Sequence, residues 1–153
     1  MPWKHNRRVV VGTDPAGRSV VVADAEDLAR KELPTGIVLQ DVWWQPRVPA
    51  RPDDNGRRTG DVGLAPPSGG VVVRILTVPP STQAPDEWEP DLHFDDALHV
   101  ITQTEGELDI VLEEGTVTLR PGDTVILPAS VHDLHNRTSE PATFVYTSVP
   151  LVR

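Results

Sequence analysis

Residues 93–136 read HFDDALHVITQTEGELDIVLEEGTVTLRPGDTVILPASVHDLHN, and this stretch decides the fold. Apolar and polar residues alternate through much of it, the period of a strand with one buried face. Glu114 with Gly115 is one turn signal, and Pro121, Gly122 and Asp123 are another. Four of the chain's five histidines fall here, and three of them, His93, His99 and His132, stand with Asp95 as candidate ligands. Taking 93–104 and 124–136 as strands, His93, Asp95 and His99 have odd parity and share one face of a sheet. A neighbouring strand carrying His132 would complete three imidazoles and a carboxylate around one point. That is the ligand set of a mononuclear metal site.

The rest of the chain reads as short strands closed by turn residues. Arg7–Val11 and Ser19–Ala23 flank a hairpin signal between Gly12 and Gly17. Asp24–Lys31 suits one or two helical turns, limited by Pro34. Ile37–Trp44 is rich in β-branched and aromatic residues, and its adjacent Trp43 and Trp44 point to opposite faces. Residues 46–70 are a dense run of Pro, Gly, Asp and Arg without periodicity and read as a long mobile loop, a surface insertion or a lid. Strands then recur at Val71–Val78, His93–Thr104, Glu107–Glu113, Thr116–Arg120, Thr124–Pro128, Val131–Asn136 and Ala142–Val149. Many short strands at even spacing indicate an all-β sandwich or closed barrel.

The 153 residues suffice for one domain with a real core. A formal charge of −9 argues against nucleic acid and against an anionic membrane surface, since both need a basic footprint. It favours a small-molecule substrate. The absence of cysteine excludes disulfides and thiolate ligands. No stretch approaches the roughly 20 apolar residues of a membrane span, and the start of the chain lacks the apolar run of a signal peptide, so a cytoplasmic protein is expected.

The segment from His93 to Asn136 resembles the cupins. Their first motif has the form H-x-H, a few residues, E, six residues, G. Gly106 matches its closing glycine, which puts His99 at the glutamate position, His93 at the first histidine position and Asp95 at the second. The second motif is G, five residues, P-x-G-x-x-H-x-x-x-N. Gly122, Pro128, His132 and Asn136 match it, with Ser130 near the second glycine position and the spacing one residue short. Two ligand types are thus exchanged, Asp for His at 95 and His for Glu at 99. The resemblance covers residues 71–149. It implies a cupin double-stranded β-helix, a jelly-roll-like barrel over 71–153. The N-terminal strand extension and long loop, 1–70, would pack on that barrel.

The resemblance further implies one divalent transition metal, Zn, Fe, Ni or Mn, held by His93, Asp95, His99 and His132. Lewis-acid chemistry (lyase, dehydratase, isomerase or decarboxylase) and Fe(II) dioxygenase chemistry both fit. So does a metal-free cupin that binds a small ligand without turnover, its histidines buried and hydrogen-bonded. Tyr146, on the last strand, is a candidate acid or base, or else a packing residue. Arg74 would bind a substrate carboxylate if it faced inward; as a charged residue on a strand it is expected to face outward. Gln103 shares the parity of His99 and is a candidate pocket residue, and Trp88 in the acidic run 85–91 is a candidate shield. Leu98, Ile101 and Ile110 are expected to supply an apolar interior. His135 is opposite in parity to His132 and should face outward, and His5 near the terminus needs no role. Unpaired edge strands in the N-terminal extension predict a homodimer.

Overall fold

The computed structural model describes residues 4–152; residues 1–3 and 153, at the ends of the two expected regions, lie outside this range. Every regular element among the described residues is a strand. β1 (Arg8–Thr13) and β2 (Ser19–Ala25) form a separate antiparallel hairpin, closed by Gly17 donating to the Asp14 carbonyl. Ten strands build the two larger sheets: β3 (Ala29–Glu32), β4 (Val38–Gln45), β5 (Val71–Val78), β6 (His93–Phe94), β7 (Ala97–Glu105), β8 (Leu108–Leu112), β9 (Gly115–Leu119), β10 (Thr124–Pro128), β11 (Val131–His135) and β12 (Ala142–Pro150). One sheet runs β10-β7-β12-β5-β4-β3 and the other β6-β11-β8-β9, with antiparallel neighbours throughout. This is the all-β, two-sheet architecture that the resemblance implies.

The period-two pattern explains what is buried. Even residues of β5 and β12 and odd residues of β7 face inward. Leu76, Phe144 and Ile101 from the large sheet meet Leu108, Ile110 and Leu119 from the small one in a single apolar cluster. Each such side chain contributes about 1.5–3 kcal/mol on burial. Polar and titratable residues on the same inward rows, Arg74, His99 and Tyr146, line a cavity together with Leu76, Ile101 and Phe144 from that cluster.

Several expectations are corrected. Residues 24–31 form no helix: β2 continues to Ala25 and Ala29–Glu32 pairs with β4. The sheet edge satisfies this backbone, whereas a helix of one or two turns would be marginal by itself. The stretches 93–104 and 124–136 are each two strands, broken at Asp95–Asp96 and at Ala129–Ser130, where the chain passes between sheets. Leu98 has even parity, lies on the face opposite His99 and is only half-buried, so it does not line the interior. Ile101 and Ile110 do lie in the core.

Residues 46–70 lack regular strands but are fastened to the barrel rather than loose. Trp44 N–H donates to Gly56 O (2.8 Å) and Val48 N–H to Gly69 O (3.0 Å). Gln45 Nε2 donates to Asp54 Oδ2 (2.8 Å). The Arg58 guanidinium stacks 3.6 Å from the centroid of the Trp44 ring. Val62 is buried, and Leu64 reaches the open end of the barrel.

Candidate metal centre and its pocket

The breaks at 95–96 and 129–130 build the site. β6 pairs with β11 so that His93 stands directly opposite His132, and their ring centroids are 4.7 Å apart. His99 comes from β7, in the other sheet. Asp95 lies on the crossing between β6 and β7, and its carboxylate therefore falls between the two sheets. Ala129, at φ 52°, turns the return crossing, and its N–H donates to Ala97 O (3.0 Å), pinning the two crossings together.

The four side chains converge on one atom. Asp95 Oδ2 is 3.3 Å from Nε2 of His99 and 3.7 Å from Nε2 of both His93 and His132. The ligating atoms of His93, Asp95 and His132 lie within 4.8 Å of one another. His132 Nδ1 lies 2.7 Å from the Ser130 carbonyl and His93 Nδ1 lies 3.0 Å from the Asp91 carbonyl. A carbonyl only accepts, so both Nδ1 atoms carry hydrogen, and in the neutral rings each Nε2 offers a lone pair toward Asp95. Lone pairs and a carboxylate facing one another call for a positive charge between them. A tetrahedral ion with bonds of about 2.0–2.2 Å would set its ligands about 3.3–3.6 Å apart, close to the 3.3 and 3.7 Å between Asp95 Oδ2 and the three Nε2 atoms. The donor set fits a divalent metal.

The electrostatics agree with that readiness. Burial lowers the pKa of His132, reinforced by neighbouring His93 and His99 and opposed by the Ser130 carbonyl and Asp95. Asp95 is held below the ordinary aspartate value, first by its hydrogen bond from His99 and then by the charges of the three histidines, against partial desolvation. His99 Nδ1 is buried without a hydrogen-bond partner, and so is the Oγ of Ser148, the residue directly across the β12–β7 ladder.

The cluster opens into a cavity of about 330 Å³. Tyr146 lines it, its ring centroid 4.8 Å from that of His99. Burial raises the Tyr146 pKa, so the phenol keeps its proton at neutral pH. Arg74 also lines the cavity and is fully buried, which corrects the expectation that it faces outward. Its Nε donates to Asp41 Oδ1 (2.6 Å), Nη1 to Leu64 O (2.8 Å) and Nη2 to Gly63 O. Gln103 is inward and buried but lies away from the pocket, its Nε2 donating to Glu105 O and Gly106 O at the β7–β8 turn. Trp88 stacks on His135 with ring centroids 3.7 Å apart, outside the pocket. Neither residue shapes the cavity.

Asp41, Arg58 and Leu64 escaped the sequence reading. Asp41 is buried between two guanidinium groups, Arg74 at 2.6 Å and Arg58 at 3.3 Å. A lone acid within the apolar run 37–44 was the available signal, because a buried carboxylate needs a cationic partner. Asn136 closes a turn: it donates to Val78 O and Glu140 O and accepts from Thr138. This is a structural role.

Comparison with known proteins follows the same residues. The family model of a cupin domain matches residues 74–148. A sugar phosphate isomerase of the cupin superfamily from Silicibacter pomeroyi superposes with a TM-score of 0.52 at 19% identity, covering 82% of this chain and 73% of that one. An RmlC-like cupin from Shewanella frigidimarina gives a TM-score of 0.55 at 13% identity, covering 83% and 87%. At these identities the likeness shows the fold alone. No curated protein sequence matches.

Proposed function

Since the chain belongs to the cupin superfamily, we propose that it is a small metal-dependent enzyme acting on a compact organic substrate by redox-neutral chemistry of the lyase, dehydratase, isomerase or decarboxylase kind. The observation that carries this reading is the convergence of the His93 and His132 Nε2 lone pairs on Asp95, with both Nδ1 hydrogens committed to backbone carbonyls. His99 supplies the third imidazole and Asp95 the one negative charge. A divalent Zn, Fe, Ni or Mn ion held there would act as a Lewis acid on a carbonyl, carboxylate or enediol oxygen.

The chain's own residues supply the rest. Backbone carbonyls fix the orientation of two of the rings, as second partners of metal-binding histidines do. Leu39, Leu76, Ile101 and Phe144 give the cavity an apolar wall. Tyr146, protonated beside His99, is placed to give a hydrogen bond or a proton to a substrate oxygen. A proton-carrying group and a histidine-rich donor set favour redox-neutral chemistry over an Fe(II)-dependent dioxygenase.

A second reading has its own support. His99 Nε2 lies within hydrogen-bond distance of Asp95, an arrangement that also suits a metal-free cupin binding a small ligand. The deciding experiment is the metal content of the purified, tag-free protein, with a His93→Ala/His132→Ala double variant as control. Close to one equivalent of zinc, nickel or manganese, lost in the variant, supports the leading reading. Iron with substrate-dependent oxygen uptake would replace it by the dioxygenase. No metal after reconstitution would leave the binding protein.

The β1–β2 hairpin completes the proposal as the contact of a homodimer. Val9, Val11, Val20, Val21 and Val22 are all exposed on it, and in this sheet each strand has only one partner. Light scattering that gives a monomer mass at micromolar concentration would refute the dimer.

A further inference from the structure

We propose that the substrate carries a carboxylate received by Arg74, and that the backbone carbonyls of Gly63 and Leu64 hold the place of that carboxylate. This deepens the proposed function and rests on its reading of the cavity as the substrate site, though not on the metal.

Arg74 donates from Nη1 to Leu64 O and from Nη2 to Gly63 O. Two oxygens of adjacent residues thus sit on the two terminal nitrogens of one guanidinium, the arrangement a carboxylate makes when it binds bidentately. The carbonyls are poorer partners, since they bring no net charge. Asp41 is the one carboxylate in ion-pair contact with Arg74 or Arg58 among the described residues, and it is shared between them. Two cations on one anion leave one positive charge without an ion pair of its own, with the Arg74 side chain wholly out of solvent. Buried charge without a counter-charge is costly. A ligand carboxylate would neutralise it and replace neutral acceptors with charge-assisted ones.

The position is right for a substrate. Arg74 lines the same cavity as the histidine cluster. Tyr146 stands directly opposite Arg74 across the β12–β5 ladder and beside His99. A compact molecule would therefore run from the guanidinium, past the phenol, to the His–Asp group, its middle against apolar walls. The segment that must yield is accessible, because Leu64 is 56% exposed while Val62 anchors the loop at 6%. Asp91 and Asp133 line the same cavity, which disfavours more highly charged anions and selects a monocarboxylate.

The test is a titration of the full chain, EDTA-treated and zinc-loaded, with butanoate, butanamide and inorganic phosphate, followed by the carbonyl carbon resonances of Gly63 and Leu64. Butanoate is expected to shift both resonances in either metal state, and butanamide, the same shape without the charge, to bind at least about tenfold more weakly. Arg74→Lys, which keeps the charge but loses the fork, should weaken butanoate by a further factor of about ten or more. Equal affinity for butanoate and butanamide, tighter binding of phosphate, unmoved carbonyls at saturation, or no butanoate binding would overturn the inference. If Arg74→Lys does not fold, the wild-type comparison of acid and amide decides by itself. A protein that binds butanoate through Arg74 yet retains no metal refutes the metal reading only. One that holds metal without preferring the acid refutes this inference only.

Discussion

Asp95 Oδ2 lies 3.3 Å from Nε2 of His99, although Asp95 stands outside the strand that carries His99. The contact exists because the chain leaves one sheet at Phe94 and enters the other at Ala97, and the carboxylate falls in the gap. It is also the negative charge that the Nε2 atoms of all three histidines face. Asp95→Asn keeps the shape and removes the charge. It should lower divalent-metal affinity by at least about tenfold while leaving thermal stability nearly unchanged, since the residue is partly exposed. Chelator competition alongside a melting curve checks both halves. Unchanged affinity would remove Asp95 from the ligand set.

The second prediction concerns pH. Burial lowers the His132 pKa below its ordinary value of 6.5. In the unfolded chain the ring takes up a proton as pH falls through the ordinary range, while in the folded chain it stays neutral until lower pH. The unfolded state then binds more protons, so the contribution of His132 is complete above the ordinary range and declines as pH drops toward the folded-state pKa. Urea midpoints of metal-free protein should fall from pH 7 to pH 5, and the slope should flatten in His132→Gln. A histidine proton resonance titrating above the ordinary value would contradict this.

How far the site was legible follows from these residues. His93, His99 and His132 could be grouped because parity operates within a strand and the histidines cluster in sequence. The crossing at Asp95–Asp96 was not legible, because alternation says nothing about where a strand passes from one sheet to the other. Arg74 was read outward since a charged residue on a strand is normally solvated. Its partner Asp41 lies 33 positions earlier, and no local pattern links them. The run 46–70 has the composition of a mobile loop, yet its fastening depends on Trp44, Gln45 and Arg74, all on strands outside it. Strands from Val71 onward were recognisable because most have one buried face. Residues 29–32 were not, because an edge strand with one half-buried and three exposed residues carries little alternation.

Removing the charge of Asp41 tests the buried network. Asp41→Asn would leave the guanidinium of Arg74 buried without a counter-charge, and truncating one partner of such a pair costs about 3–5 kcal/mol. The loss should show in urea unfolding. Because Arg74 also holds Gly63 and Leu64, cleavage within 58–66 by a nonspecific protease should speed up in the same variant. A loss under about 1 kcal/mol would mean that water reaches the pair and that the network is solvated.

Gly106 and Gly115 provide a matched pair of turns. Both have positive φ, +69° and +98°, so alanine meets backbone strain of about 1–3 kcal/mol at either. They differ in their surroundings. A Cβ on Gly106 would stand 2.5 Å from Pro141 O and 3.1 Å from Ala142 Cα, whereas one on Gly115 meets nothing within 4 Å. The backbone at 141–142 leads into β12 and cannot step aside cheaply, so Gly106→Ala should cost about 1–3 kcal/mol more than Gly115→Ala. The turn at 106 also receives Gln103 Nε2, which fixes the end of β7. That end is remote from His99, so metal content per folded molecule should be the same in both variants. Equal stabilities would show that 106 and 141 do not approach as closely as the fold requires.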